Sequence, residues 1–110
     1  MNALRNKVQL IGNLGKDPEV ITLESGKKLA RFSLATNEHR KNAEGEKITE
    51  TTWHNVIAWN RVAEIVEKYV AKGQEVALEG KLSNRRYETK EGQTRYITEV
   101  VAYEILMMGK

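Results

Sequence analysis

Only one stretch of this sequence, NRVAEIVEKYVAKG from Asn60, repeats its apolar residues at helical spacing, through Val62, Ile65, Val66 and Tyr69. Asn60 suits an N-cap there and Gly73 a C′ stop, with Lys72 in the last turn. Nearly everything else alternates with period two. KVQLIGNLG opens as a strand and ends in glycines that suit a bend or bulge at a barrel corner. KDPEV, with the sole proline Pro18, reads as a turn. ITLESGKKLARFSLAT reads as a short strand, a Ser-Gly turn and a longer strand. In that longer strand Ala30, Phe32 and Leu34 face one way and Arg31, Ser33 and Ala35 the other. NEHRKNAEGEKITE is polar and reads as a long mobile loop or hairpin tip, and a strand holding both tryptophans follows. After the helix, EVALEGKLSNRRYE and TRYITEVVAYEIL are long strands around a TKEGQ loop. Three strands, a helix and two strands predict an all-β domain over residues 1–110. The expected form is a five-stranded barrel with the helix between its third and fourth strands. The last two strands are longer than such a barrel needs and are expected to run on as a hairpin.

The chain has 110 residues, enough for one core without staples. With no cysteine it has neither disulfides nor thiolate metal sites. Its two histidines, His39 and His54, form no metal-ligand pair, and no serine sits in a nucleophile elbow. GNLGKD lacks the spacing and the hydroxyl residue of a phosphate loop. No acid, base or nucleophile cluster can be assembled, so an enzyme is not expected, and no cofactor or metal is called for. The sequence has no signal-peptide run and nothing long enough to span a membrane. A cytosolic protein is the simplest reading. The formal net charge of +3 permits an anionic partner without requiring one.

In ETTWHNVIAWN, period two puts Trp53, Asn55, Ile57 and Trp59 on one face and Thr52, His54, Val56 and Ala58 on the other. If the first face is buried, the indoles are core. If it faces water, they are platforms for something flat. Alternation alone does not decide, because Ile57 sits with the tryptophans while Asn55 is polar. Tyr87 follows Arg85 and Arg86, and aromatics interleaved with cations suit a single nucleic-acid strand: rings stack on bases, and cations hold phosphates. His54 reads as a buried or interface histidine with a hydrogen-bond partner. Lys7, Arg31 and Arg61 read equally well as ordinary surface residues.

NKVQLIGNLGKDPEV, ARFSLAT, TTWHNVIAW, YVAKGQEVALEGKL and TRYITEVVA, in this order, resemble the bacterial single-stranded DNA-binding protein family over about residues 4 to 105. The resemblance implies an OB-fold, usually a homotetramer without a cofactor. Such proteins wrap single-stranded DNA with little sequence preference and protect it during replication, recombination and repair, which implies a cytoplasmic, nucleoid-associated place of work. By position it marks Trp53, Trp59 and Tyr87 as base-stacking residues. Arg85, Arg86, Arg61 and Lys72 fall where the family has basic residues near the DNA path. Lys7 matches a first-strand lysine, Arg31 joins the DNA-contacting set, and Asn6 and His54 match positions of subunit contact. Where well-studied members carry a further stacking tryptophan, this sequence has Arg40, a cation that can contact phosphate or stack its guanidinium plane. The family also continues into a Gly/Pro/Gln-rich linker and an acidic tip that recruits replication and repair enzymes. These residues stop at ILMMGK, so tail-dependent partners are not expected of them. Two rival readings stay open, an OB barrel that docks other proteins and a cold-shock-type binder of single-stranded RNA; the long last hairpin argues against the second.

Overall fold

The computed structural model describes residues 4–108. It contains β1 (Val8–Leu14), β2 (Glu19–Thr22), β3 (Lys28–Lys41), β4 (Lys47–Trp59), α1 (Asn60–Tyr69), β5 (Glu75–Glu88) and β6 (Thr94–Met107). The strands run in the order β1-β5-β6-β4-β3-β2, and a β1–β3 pairing closes β1, β5, β6, β4 and β3 into a ring. All neighbours in the ring are antiparallel except β4 and β6, which pair in parallel from Val56–Val100 to Ala58–Ala102. This is the expected OB-fold: five barrel strands, with the helix between the third and fourth. The short β2 is an extra strand laid along β3.

The interior follows from the alternation. Ala30, Phe32 and Leu34 of β3 meet Val56 and Ala58 of β4, Val76 and Leu78 of β5, and Val100 and Ala102 of β6, all buried. Helix α1 adds Val62, Ala63 and Val66 and packs against β3, β4 and β6. Each large apolar side chain buried in this way contributes about 1.5–3 kcal/mol.

Closing so small a ring forces backbones together at two points. A Cβ on Gly12 would overlap the Ala35 carbonyl oxygen, where β1 leaves β5 to pair with β3 at Asn13 and Leu14. A Cβ on Gly80 would overlap the Val101 carbonyl oxygen, beside the register shift that bends β5 against β6. Gly12 thus has the corner role expected of its segment.

Local expectations are corrected in the polar stretch and at the helix. Of the two readings of the polar stretch after Thr36, the hairpin tip holds and the long mobile loop does not: β3 and β4 stay paired out to Lys41 and Lys47, and only Asn42–Glu46 turns. Beyond the barrel there is no interior to impose an apolar alternation. Cross-strand polar contacts hold these arms instead, from Thr51 Oγ1 to Asn37 Oδ1 at 2.6 Å and between Arg40 and Glu50. The helix starts without a side-chain cap, since Asn60 Oδ1 accepts the Lys28 N–H at 3.3 Å instead. The helix also stops at Tyr69, short of Lys72. Gly73 lies in the turn beyond it, where its N–H donates to the Leu14 carbonyl. Tyr69, expected on the apolar side, is exposed. The β5–β6 pair does run on from the barrel as a hairpin, paired out to Glu88 and Thr94.

Gly80→Ala is therefore expected to destabilise the fold by about 3 kcal/mol, because the atom it meets is backbone and cannot swing aside. Chemical denaturation checks this; an unchanged midpoint would mean that the strands are not in contact there.

Candidate nucleic-acid interface

Register decides which way the indoles point. β3 and β4 pair Leu29 with Trp59, Arg31 with Ile57, Ser33 with Asn55 and Ala35 with Trp53. Residues directly opposite in a ladder share a face. The intervening pairs, Ala30–Ala58 and Phe32–Val56, are buried, so the tryptophan face is the outer one. Trp53 is 60% exposed and Trp59 38%. The core reading of the indoles is excluded. Behind them, half-buried His54 places Nε2 2.9 Å from Thr36 Oγ1, which is the partnered histidine expected.

Trp53 has a seat. A Cβ built on Gly15 would lie 2.6 Å from the indole Cζ3, so the ring rests on bare backbone. Gly15, read from sequence as a bend residue, serves the platform. The signal was present in GNLG, but its partner is far away in the chain.

Below the indoles runs an open groove of about 330 Å³. Arg31, Ser33, Asn55 and Ile57 form one side, Lys16, Asp17 and Glu19 a second, and Arg85, Ile97 and Glu99 of the β5–β6 hairpin a third. A smaller recess of about 190 Å³ continues it toward Trp59. The hairpin register pairs Tyr87 with Arg95 and Arg85 with Ile97, so exposed Tyr87 shares the face that Arg85 and Ile97 turn to the groove. Arg85 donates to Glu99 with both ends of its fork, Nη2 to Oε2 at 2.9 Å and Nε to Oε1 at 3.3 Å. That hydrogen-bonded carboxylate, with its charge, raises the Arg85 pKa further. Glu99 escaped the sequence reading, although alternation with Ile97 and Val101 already placed a lone acid on that side of β6.

The remaining expected contacts divide. Arg31 lines the groove, and exposed Arg61 lies in the first turn of the helix, two residues after Trp59. Lys72 is exposed, and its N–H is tied to groove residue Asp17 at 2.8 Å. Among the described residues none of these three takes part in an ion pair. Arg86 pairs with Tyr96 and faces the opposite side of the hairpin from Tyr87, because adjacent residues of a strand diverge. Lys7 is ion-paired with Glu79 at 3.2 Å, beside β1 and β5 and outside the groove lining. Arg40 is held by Glu50 at 3.1 Å, on the ladder side opposite the indoles. The ring on the indole side at that place is His39, bonded to Thr49. Asn6 spends its amide inside the chain, accepting from and donating to the Leu82 backbone at 3.0 Å each. Among the described residues no three His, Cys, Asp or Glu side chains gather as metal ligands would.

An exposed row of aromatics over a groove with cations at its rim offers flat faces and phosphate ligands together. Residues 5–108 match the model of the single-strand binding protein family. A single-stranded DNA-binding protein of Bacteroides thetaiotaomicron is 48% identical over 106 residues, 94% of this chain and 66% of the relative. One from Neisseria meningitidis serogroup A is 41% identical over 104 residues, 94% of this chain and 60% of the relative. The chain thus spans less than two thirds of the length of these relatives. Among solved structures, a Plasmodium falciparum SSB complex with ssDNA superposes with a TM-score of 0.87 at 32% identity, covering 99% of this chain and 100% of that one.

Gly15→Ala should lift the Trp53 ring from its seat while changing stability by less than about 1 kcal/mol, since the ring can move. In a Trp59→Phe background, the emission of the remaining indole should shift; identical spectra would show that Gly15 does not carry the ring.

Proposed function

The chain belongs to the single-strand binding protein family, and from that membership and the groove we propose that it binds single-stranded DNA with little sequence preference and keeps it open during replication, recombination and repair. The observation that carries this reading is the outward row of aromatics over the groove. Trp53, Trp59 and Tyr87 stack bases, which needs no sequence code because every base has a flat face. Arg31, Arg61 and Lys72 neutralise phosphates from the rim. Arg86, Lys7 and Arg40 lie off the groove and serve, at most, strand segments that pass along other faces. No chemistry is involved: bases held against rings cannot re-pair, so hairpins melt by mass action. The place of work follows from the substrate, the cytoplasm and its nucleoid.

We further propose a homo-oligomer, a tetramer by family habit. In support, β1 pairs with β3 only at Asn13 and Leu14, which leaves one edge of Val8–Gly12 without a strand among the described residues. Exposed Ile11 and Leu106 flank a concave surface beside that edge. Self-association covers both features, and His54 lies close to the same edge.

Labelled oligo(dT), followed by anisotropy, tests the main reading. Trp53→Ala, Trp59→Ala and Tyr87→Ala should each weaken binding by about 1–3 kcal/mol. The logarithm of affinity should also fall linearly with the logarithm of salt, by about 0.7 per phosphate neutralised. Full-strength binding by all three variants would leave the aromatics without this role.

A further inference from the structure

Glu99 is the single charged residue buried among the described residues, and it lies under a groove read here as the seat of a polyanion. Only 5% of its side chain meets solvent, against 47% for its partner Arg85. Removing a carboxylate from water is costly, and a fork of two hydrogen bonds from a guanidinium is the arrangement that offsets it. The pairing has a consequence for the ligand. Lys16, Arg31 and Arg85 are the cations that line the groove, and Asp17, Glu19 and Glu99 are the acids. The two sets cancel, so the groove lining as a whole, with Arg31 at its rim included, carries no formal net charge. A strand laid with phosphates inward would meet the Asp17 and Glu19 carboxylates there, and an Arg85 whose charge Glu99 already answers. A strand laid with bases inward would meet Ile57, Ile97, Asn55 and a guanidinium whose charge is already answered.

We propose that Glu99 is a positioning residue that takes Arg85 out of phosphate neutralisation and fixes its guanidinium, charge-balanced by the carboxylate, as a plate facing the bases. The inference rests on the single-stranded DNA reading above and goes beyond it by assigning the floor to bases and the rim to phosphates. A planar guanidinium can stack on a base as well as clamp an oxyanion, and with Nε and Nη2 turned to Glu99 what it offers the groove is its planar face and the Nη1 edge, which can donate to a base acceptor. The device also limits how strongly salt controls binding, because a neutral pair releases no counterions from the DNA.

The test is the salt slope for oligo(dT), measured by anisotropy on the unmodified protein, Glu99→Gln, Arg31→Gln and the double variant Arg85→Gln/Glu99→Gln. Each protein is checked for folding by thermal melting. Glu99→Gln frees one cation in the groove and should steepen the slope by about 0.7; Arg31→Gln removes one and should flatten it by about 0.7. The double variant exchanges a neutral pair for two neutral amides and should keep the original slope. Should Glu99→Gln not fold, the double variant, which leaves no buried charge alone, decides the matter. A double variant flattened as much as Arg31→Gln overturns the proposal, because Arg85 would then be neutralising a phosphate despite Glu99. A folded Glu99→Gln with an unchanged slope also overturns it. Failure of the unmodified protein to bind oligo(dT) overturns the single-stranded DNA reading itself, and this inference with it.

Discussion

Burial of one side of the β3–β4 ladder compels exposure of the other. The barrel has to enclose Ala30, Phe32, Leu34, Val56 and Ala58. With a side-chain period of two, the same ladder then turns Trp53, Asn55, Ile57 and Trp59 to water, opposite Ala35, Ser33, Arg31 and Leu29. Slipping either strand by one residue would bury the indoles and expose the core, a loss no other contact could offset. The apolar interior therefore maintains the platform, and the exposed aromatics add nothing to the core that holds them in place.

What lies on the platform depends on approach distances. Gly12 and Gly80 let strands cross closely enough to close a five-stranded ring. Closure brings the β5–β6 hairpin, with Arg85 and Ile97, to the edge of a groove whose other side is β3 and β4. Gly15 then lets an indole lie flat at its mouth. The floor is built of paired strands with buried backs. The hairpin arms beyond it are held by exposed polar contacts such as Thr98 Oγ1 to Asn84 Oδ1 at 2.8 Å. Local opening costs least where few apolar groups are buried. The arms are thus the parts able to adjust around a strand, while the floor keeps its shape.

Charge is arranged by place more than by amount. A net +3 is modest for a polyanion binder. Ion pairing decides where it acts: Lys7, Arg40 and Arg85 each have a carboxylate partner, whereas Arg31, Arg61 and Lys72 have none among the described residues. Attraction is concentrated on a few cations around a balanced groove. The aromatic faces are left to supply the part of binding that salt does not screen.

The sequence by itself determined the strands, the single helix and the two faces of the tryptophan strand, because periodicity is a local property written in neighbouring residues. It also carried the family, through motifs such as TTWHNVIAW and LEGKL in their order. It left NEHRKNAEGEKITE open between a mobile loop and a hairpin tip, because a ladder outside the core shows no apolar rhythm, and it placed the helix end at Lys72 when the chain turns after Tyr69. Only the tertiary structure decided that the indole face looks outward, that Arg85 and Tyr87 share a side which Arg86 does not, and that Glu99 occupies one fork and Glu50 another. Those outcomes depend on which strand lies beside which, and hence on contacts between residues distant in the chain. Alternation names two faces; the closed barrel alone assigns one of them to water.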